Sequence, residues 1–135
     1  MKTLTTILLL LAAFAFNAQT INKGEKFLMN SLIGLDSTRK DFSFEKMETL
    51  GRAGYLLNLE EDGSFSAFGY AFCGVGEKAY VYGTYELLPK NEIRFHFDRI
   101  VYKDMGQETR KVQLHSVVTY HYDLEKKELI ELKRK

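Results

Sequence analysis

The sequence predicts a mainly β protein, an antiparallel meander closed into a small barrel or barrel-like sandwich, on three observations. From Gly54 onward, short runs rich in Tyr, Phe, Val, Ile and Leu alternate with polar residues at a period of two. Turn residues punctuate those runs at regular intervals, and the whole chain holds one proline. Six or seven strands, each with a single apolar face, are stable only if they close or pair into two sheets, because an open sheet leaves a wet apolar face and unpaired edges.

Taken in order, the chain begins with "MKTLTTILLLLAAFAFNA", one lysine ahead of an apolar run from Leu4 to Phe16 and then Ala18 at a cleavage-type position. This reads as a secretory signal peptide over residues 1–18, which predicts an exported protein, periplasmic or extracellular, with residues 19–135 as one domain. The apolar run is shorter than the roughly 18 to 20 residues a membrane-crossing helix needs, so no integral membrane segment is expected after cleavage. Residues 27–35 read as a first strand, although Phe27, Leu28, Ser31, Leu32 and Leu35 also fit a helical stripe. In "DSTRKDFSFEKMETLG" the spacing of Phe44, Met47 and Leu50, with Gly51 as a cap, predicts either one short helix or an ordered loop with a helical turn before the main strands.

The main strands follow. Tyr55, Leu57 and Leu59 alternate with Leu56, Asn58 and Glu60, and Asp62-Gly63 supplies a hairpin turn. The return strand runs to about Cys73, "GVGEK" turns the chain, and "AYVYGTYELL" forms the next strand. Pro89 to Asn91 break it before "EIRFHFDRIVY", where Ile93, Phe95 and Phe97 share one face. After "KDMGQE", a single long run sets Val112, Leu114, Ser116, Val118, Tyr120 and Tyr122 on one side; "LEKKE" then leads to a closing strand near Leu129 to Lys133.

The chain carries 19 Lys and Arg against 18 Asp and Glu, a net charge of +1, and loss of Lys2 with the leader brings the remainder to formal neutrality. That balance gives no electrostatic support for nucleic acid as a partner.

The run "LLNLEEDGSFSAFG" followed by "YGTYELLPKNEIRF" resembles small secreted lipocalin-like domains, in which an Asp-Gly turn joins two strands and Gly-Thr-Tyr-x-Leu precedes a polar turn and an apolar strand. It is similar also to META-type domains of bacterial envelope proteins, although here the pair between the two halves is ordered Cys73-Gly74. The resemblance spans Leu56 to Phe97 and implies a compact secreted or envelope module, in some members with an internal ligand cavity.

No motif carries catalytic chemistry. His115 and His121 share a strand face but stand about 20 Å apart along it, too far to share an ion. Neither Cys-x-x-Cys nor His-x-x-x-His occurs, so no metal or cofactor is expected. Cys73, the single cysteine, reads as a small packed residue at a strand end; a nucleophile, or a thiol bridging two chains in an oxidising compartment, is its other reading. The aromatic stripe stands out: Phe68, Tyr70 and Phe72 share one face of a strand, Tyr80 and Tyr82 one face of the next, and Phe65, Ala67, Gly69 and Ala71 lie opposite. These five aromatics are the candidate ligand-binding residues. The expected function is a non-enzymatic exported module that binds a small apolar ligand. Two alternatives stand beside it: an envelope protein-interaction or stress-related module, and a hydrolase or metal-dependent enzyme using Cys73 or the histidines.

Overall fold

The computed structural model describes residues 20–48, 53–70 and 76–135, with Tyr70 described by its backbone. The proposed leader, Phe72, Cys73, Leu50 and Gly51 lie outside these residues. Nine strands run in chain order: β1 (Lys26–Met29), β2 (Asp41–Lys46), β3 (Gly54–Leu59), β4 (Ser64–Tyr70), β5 (Glu77–Leu88), β6 (Glu92–Asp104), β7 (Gln107–Gln113), β8 (Val117–Asp123) and β9 (Glu128–Arg134). Every pairing is antiparallel, and the sheet order β5-β4-β3-β1-β2-β9-β8-β6 closes through a β5–β6 pairing into an eight-stranded barrel. β7 is the extra strand, hydrogen-bonded to β6 alone.

From β3 onward the chain is the expected meander. Before it the order differs: β1 sits between β2 and β3, so the β1–β2 hairpin is inserted with its second strand against β9. The helix expected around Phe44 and Met47 is replaced by β2. In "DFSFEK" the period of two prevails over the helical spacing, because Phe42 and Phe44 both enter the core while Asp41 and Ser43 face water. Among the described residues there is no helix, and none is long and apolar enough to cross a membrane.

Turn chemistry fixes the register. At the β3–β4 hairpin Gly63 adopts a φ of 88°, the amide of Glu60 donates to the Ser64 carbonyl at 2.9 Å, and Asp62 accepts from the Ser64 amide at 2.9 Å. Only a residue without Cβ takes the left-handed position of this three-residue loop at no cost. Lys90 and Asn91 between β5 and β6, Met105 and Gly106 between β6 and β7, and Lys127 before β9 also carry positive φ.

The interior is built from rings. Phe27 stacks on Phe44 with centroids 4.2 Å apart, Phe65 meets Phe95 edge-on at 5.0 Å, and Phe95 and Phe42 each present a ring to Tyr120. Aliphatic residues from opposite walls, Leu57, Leu59, Val81, Ile93, Val118 and Leu129, are fully buried among them. Two segments close the barrel ends. The β1–β2 connection folds inward so that Leu32 and Ile33 are buried, and Gly34, at a φ of 84°, lies where a Cβ would meet the Phe97 ring at 2.6 Å. At the other end Ile21 is buried and its amide donates to the Tyr122 hydroxyl at 3.3 Å.

The long run from Lys111 to Tyr122 divides into β7 and β8, interrupted at residues 114–116. The cause lies on β6. Its register to β5 shifts about Asp98, which inserts one residue and moves the inward set from Ile93, Phe95 and Phe97 to Ile100 and Tyr102; the β6–β7 register shifts separately between Tyr102 and Lys103, where Thr109 is the extra residue on β7.

Candidate functional site

The β6 bulge opens a groove in the barrel wall. Cross-strand register sets Ser64 beside Thr84, Thr84 beside His96 and His96 beside Val117 on the outer face; one row along, Ser66 lies beside Tyr82 and Tyr82 beside Arg99. Where Asp98 bulges, β7 gives way to β8, and two backbone bonds hold the junction: the Phe97 amide to the Ser116 carbonyl at 2.9 Å and the Leu114 amide to the Asp98 carbonyl at 2.8 Å. The resulting concavity, about 720 Å³, has Phe65, Phe97 and Leu114 at its base and hydroxyls, imidazoles and charges at its rim.

Gly83 makes this geometry possible. A Cβ there would lie 2.0 Å from the His96 carbonyl oxygen and 2.8 Å from the Phe65 ring, so β5 and β6 approach at this point only because the side chain is a hydrogen.

The rim charges are paired. His96 Nε2 lies 3.0 Å from Glu86 Oε2 and donates to it, since a carboxylate only accepts, and the Arg94 guanidinium stands 3.5 Å from the same oxygen. The His96 hydrogen bond is the main cause holding Glu86 below the usual carboxylate range. Arg99 donates to Asp98 at 2.7 Å and lies over the Tyr82 ring at 4.6 Å. His115 completes the rim.

The aromatic candidates separate. Phe65 and Ala67 face the interior, so the small-residue side of β4 is inward and the stripe is outward. Phe68 and Tyr80 pair on the outer wall with centroids 5.5 Å apart, half-buried, and Lys103 Nζ caps Tyr80 at 4.8 Å. Tyr82 is the one described member of the set that lines the groove. The backbone of Tyr70 pairs with Gly54.

Among the described residues no three His, Cys, Asp or Glu side chains converge as metal ligands. His121 pairs with Glu92 and Ile130 at the far end of β8, away from His96 and His115. Nor, among the described residues, does a hydroxyl hydrogen-bond a histidine, and the His96–Glu86 pair is solvent-exposed. The arrangement is suited to holding a molecule by an apolar base and a polar rim.

Compared with protein-family models, curated proteins and solved structures, the chain matches none of them.

Proposed function

We propose that the chain is an exported, non-enzymatic, lipocalin-like barrel module that binds a small, largely apolar ligand, and that the ligand lies in the wall groove beside Tyr82. The observation that carries this reading is the groove's make-up. A concavity of about 720 Å³ is within the size range of small-molecule sites, and it combines apolar Phe65, Phe97 and Leu114 with a few directed polar groups on Thr84, His96, Arg99 and Ser116. The interlocked rings inside the barrel favour the wall over the lumen.

Native mass spectrometry of protein purified from an exporting host, beside the same sample denatured, tests the reading. The expected result is a mass excess that vanishes on denaturation and is lost in Thr84→Trp, whose exposed position admits an indole across the groove. An excess that persists in that variant contradicts the groove, and a clean mass contradicts ligand binding.

A second reading, an envelope protein-interaction module, is favoured by the Phe68–Tyr80 pair, which sits half-buried on the outer wall with Leu56 and Val101 on either side in register. Phe68→Ala should then weaken capture of a partner while leaving the bound mass unchanged.

A further inference from the structure

We infer that β7 is an acceptor edge for an extended, acidic segment of another protein, which adds to the sheet as a further strand. The inference is independent of the groove ligand. β7 ends the sheet order, whereas each of the other described strands has a neighbour on either side around the closed barrel. All seven of its residues are exposed, it contains no proline, and it borders β6 from Arg99 to Asp104.

The direction of its free backbone groups follows from the ladder. The Leu114 amide donates to Asp98 on β6, so with a period of two the amides of Val112 and Arg110 also turn toward β6. The amides of Lys111 and Gln113 therefore turn away from β6, toward a position that no described strand occupies.

Side chains define what fits there. On the outer face an incoming strand would lie beside Lys111, whose register partner on β6 is Val101; Arg99 and Lys103 flank Val101 on β6, opposite Gln113 and Glu108. The carboxylates near this face are Asp98, bonded to Arg99, and Glu108 at the start of β7. On the inner face it would meet Val112, with Arg110 held between Glu77 at 2.8 Å and the Tyr102 ring at 3.7 Å. The complement is a strand alternating acidic residues outward with apolar residues inward. A second copy fits less well, because two-fold registers centred on Arg110 or Lys111 set cation against cation.

The test uses the whole chain, titrated with a synthetic peptide of alternating Glu and Val and, separately, one of alternating Lys and Val, with amide exchange followed by NMR. The acidic peptide should slow exchange at Lys111 and Gln113 by about tenfold or more, and the lysine peptide should not. Lys111→Glu should lose the response. So should Gln113→Pro, which removes an outward amide while sparing the β6 ladder and whose fold is checked by its unchanged thermal transition. Equal protection by both peptides, protection by neither, or protection that rises with protein concentration alone would overturn the inference, the last by assigning the edge to a second copy.

Discussion

Val112 and Val118 lie on the same side of one alternating run, yet Val112 is 38% exposed and Val118 is fully buried. The difference is the wall opposite. β8 pairs with β6 from Glu92 to His96, and Val118 lies beside Phe95 in the core cluster; β7 pairs with β6 from Arg99 to Asp104, and Val112, although beside buried Ile100, is not part of that cluster among the described residues. Alternation determines which way a side chain points, but closure determines whether that direction is core. The barrel is therefore a region of high local stability carrying a β5–β6–β7 projection held by ion pairs and ring stacking.

Substitutions in the two regions should differ in cost. Phe95→Ala, at the centre of the ring cluster with Phe65, Phe97 and Tyr120, should cost about 3–5 kcal/mol in denaturant unfolding. A much smaller loss would mean the interior is loosely filled. Gly83→Ala comes next, at about 2–3 kcal/mol, because the added methyl collides with the His96 carbonyl, a backbone atom that cannot swing aside. A pair of glycines with the same backbone preference sharpens the contrast. Gly34 (φ 84°) abuts Phe97, whereas Gly106 (φ 81°) has nothing within 4 Å of its added Cβ. Alanine at Gly106 should show only the left-handed strain of about 1–2 kcal/mol, and alanine at Gly34 a larger loss.

Alkaline titration isolates another interior group. Burial, then the nearby Glu131 charge, pushes the Tyr120 phenol far above its ordinary value, while Arg134 pulls the other way. Its folded pKa is raised, so its contribution to stability is complete below the unfolded value near about pH 10 and declines as pH rises above that value. Tyr120→Phe should flatten this decline in unfolding free energy between about pH 9 and 11. An unchanged slope would place the alkaline loss on other groups, such as Tyr85, which burial also raises. The smallest effect belongs to the projection: Val112→Ala should change stability by less than about 0.5 kcal/mol.

Much of this was legible in the sequence. Asp62-Gly63 marks a hairpin because only certain residues take its backbone angles, and the Ile93, Phe95, Phe97 alternation marks an inward face because each is buried against a facing wall. β2 was also legible in Phe42 and Phe44, but a coincident helical spacing obscured it. The bulge left one trace, the consecutive Ile100 and Val101, which breaks the period of two just after Phe97. The insertion of β1 between β2 and β3, and the burial of Leu32 and Ile33 over the barrel end, depend on long-range pairing that no local pattern encodes. Of the candidate site, the stripe gave Tyr82. The rest of the groove was invisible, because it gathers residues from four strands around an irregularity created by register.

Amide exchange of the free protein, compared between Val118 and Tyr120 on β8 and Val112 on β7, measures whether the barrel and the β7 edge differ in local stability. The β8 amides should exchange only through global unfolding and accelerate in Phe95→Ala, while the β7 amide should exchange faster and be indifferent to that substitution. Equal protection on the two strands, or an equal response of both to Phe95→Ala, would contradict that difference.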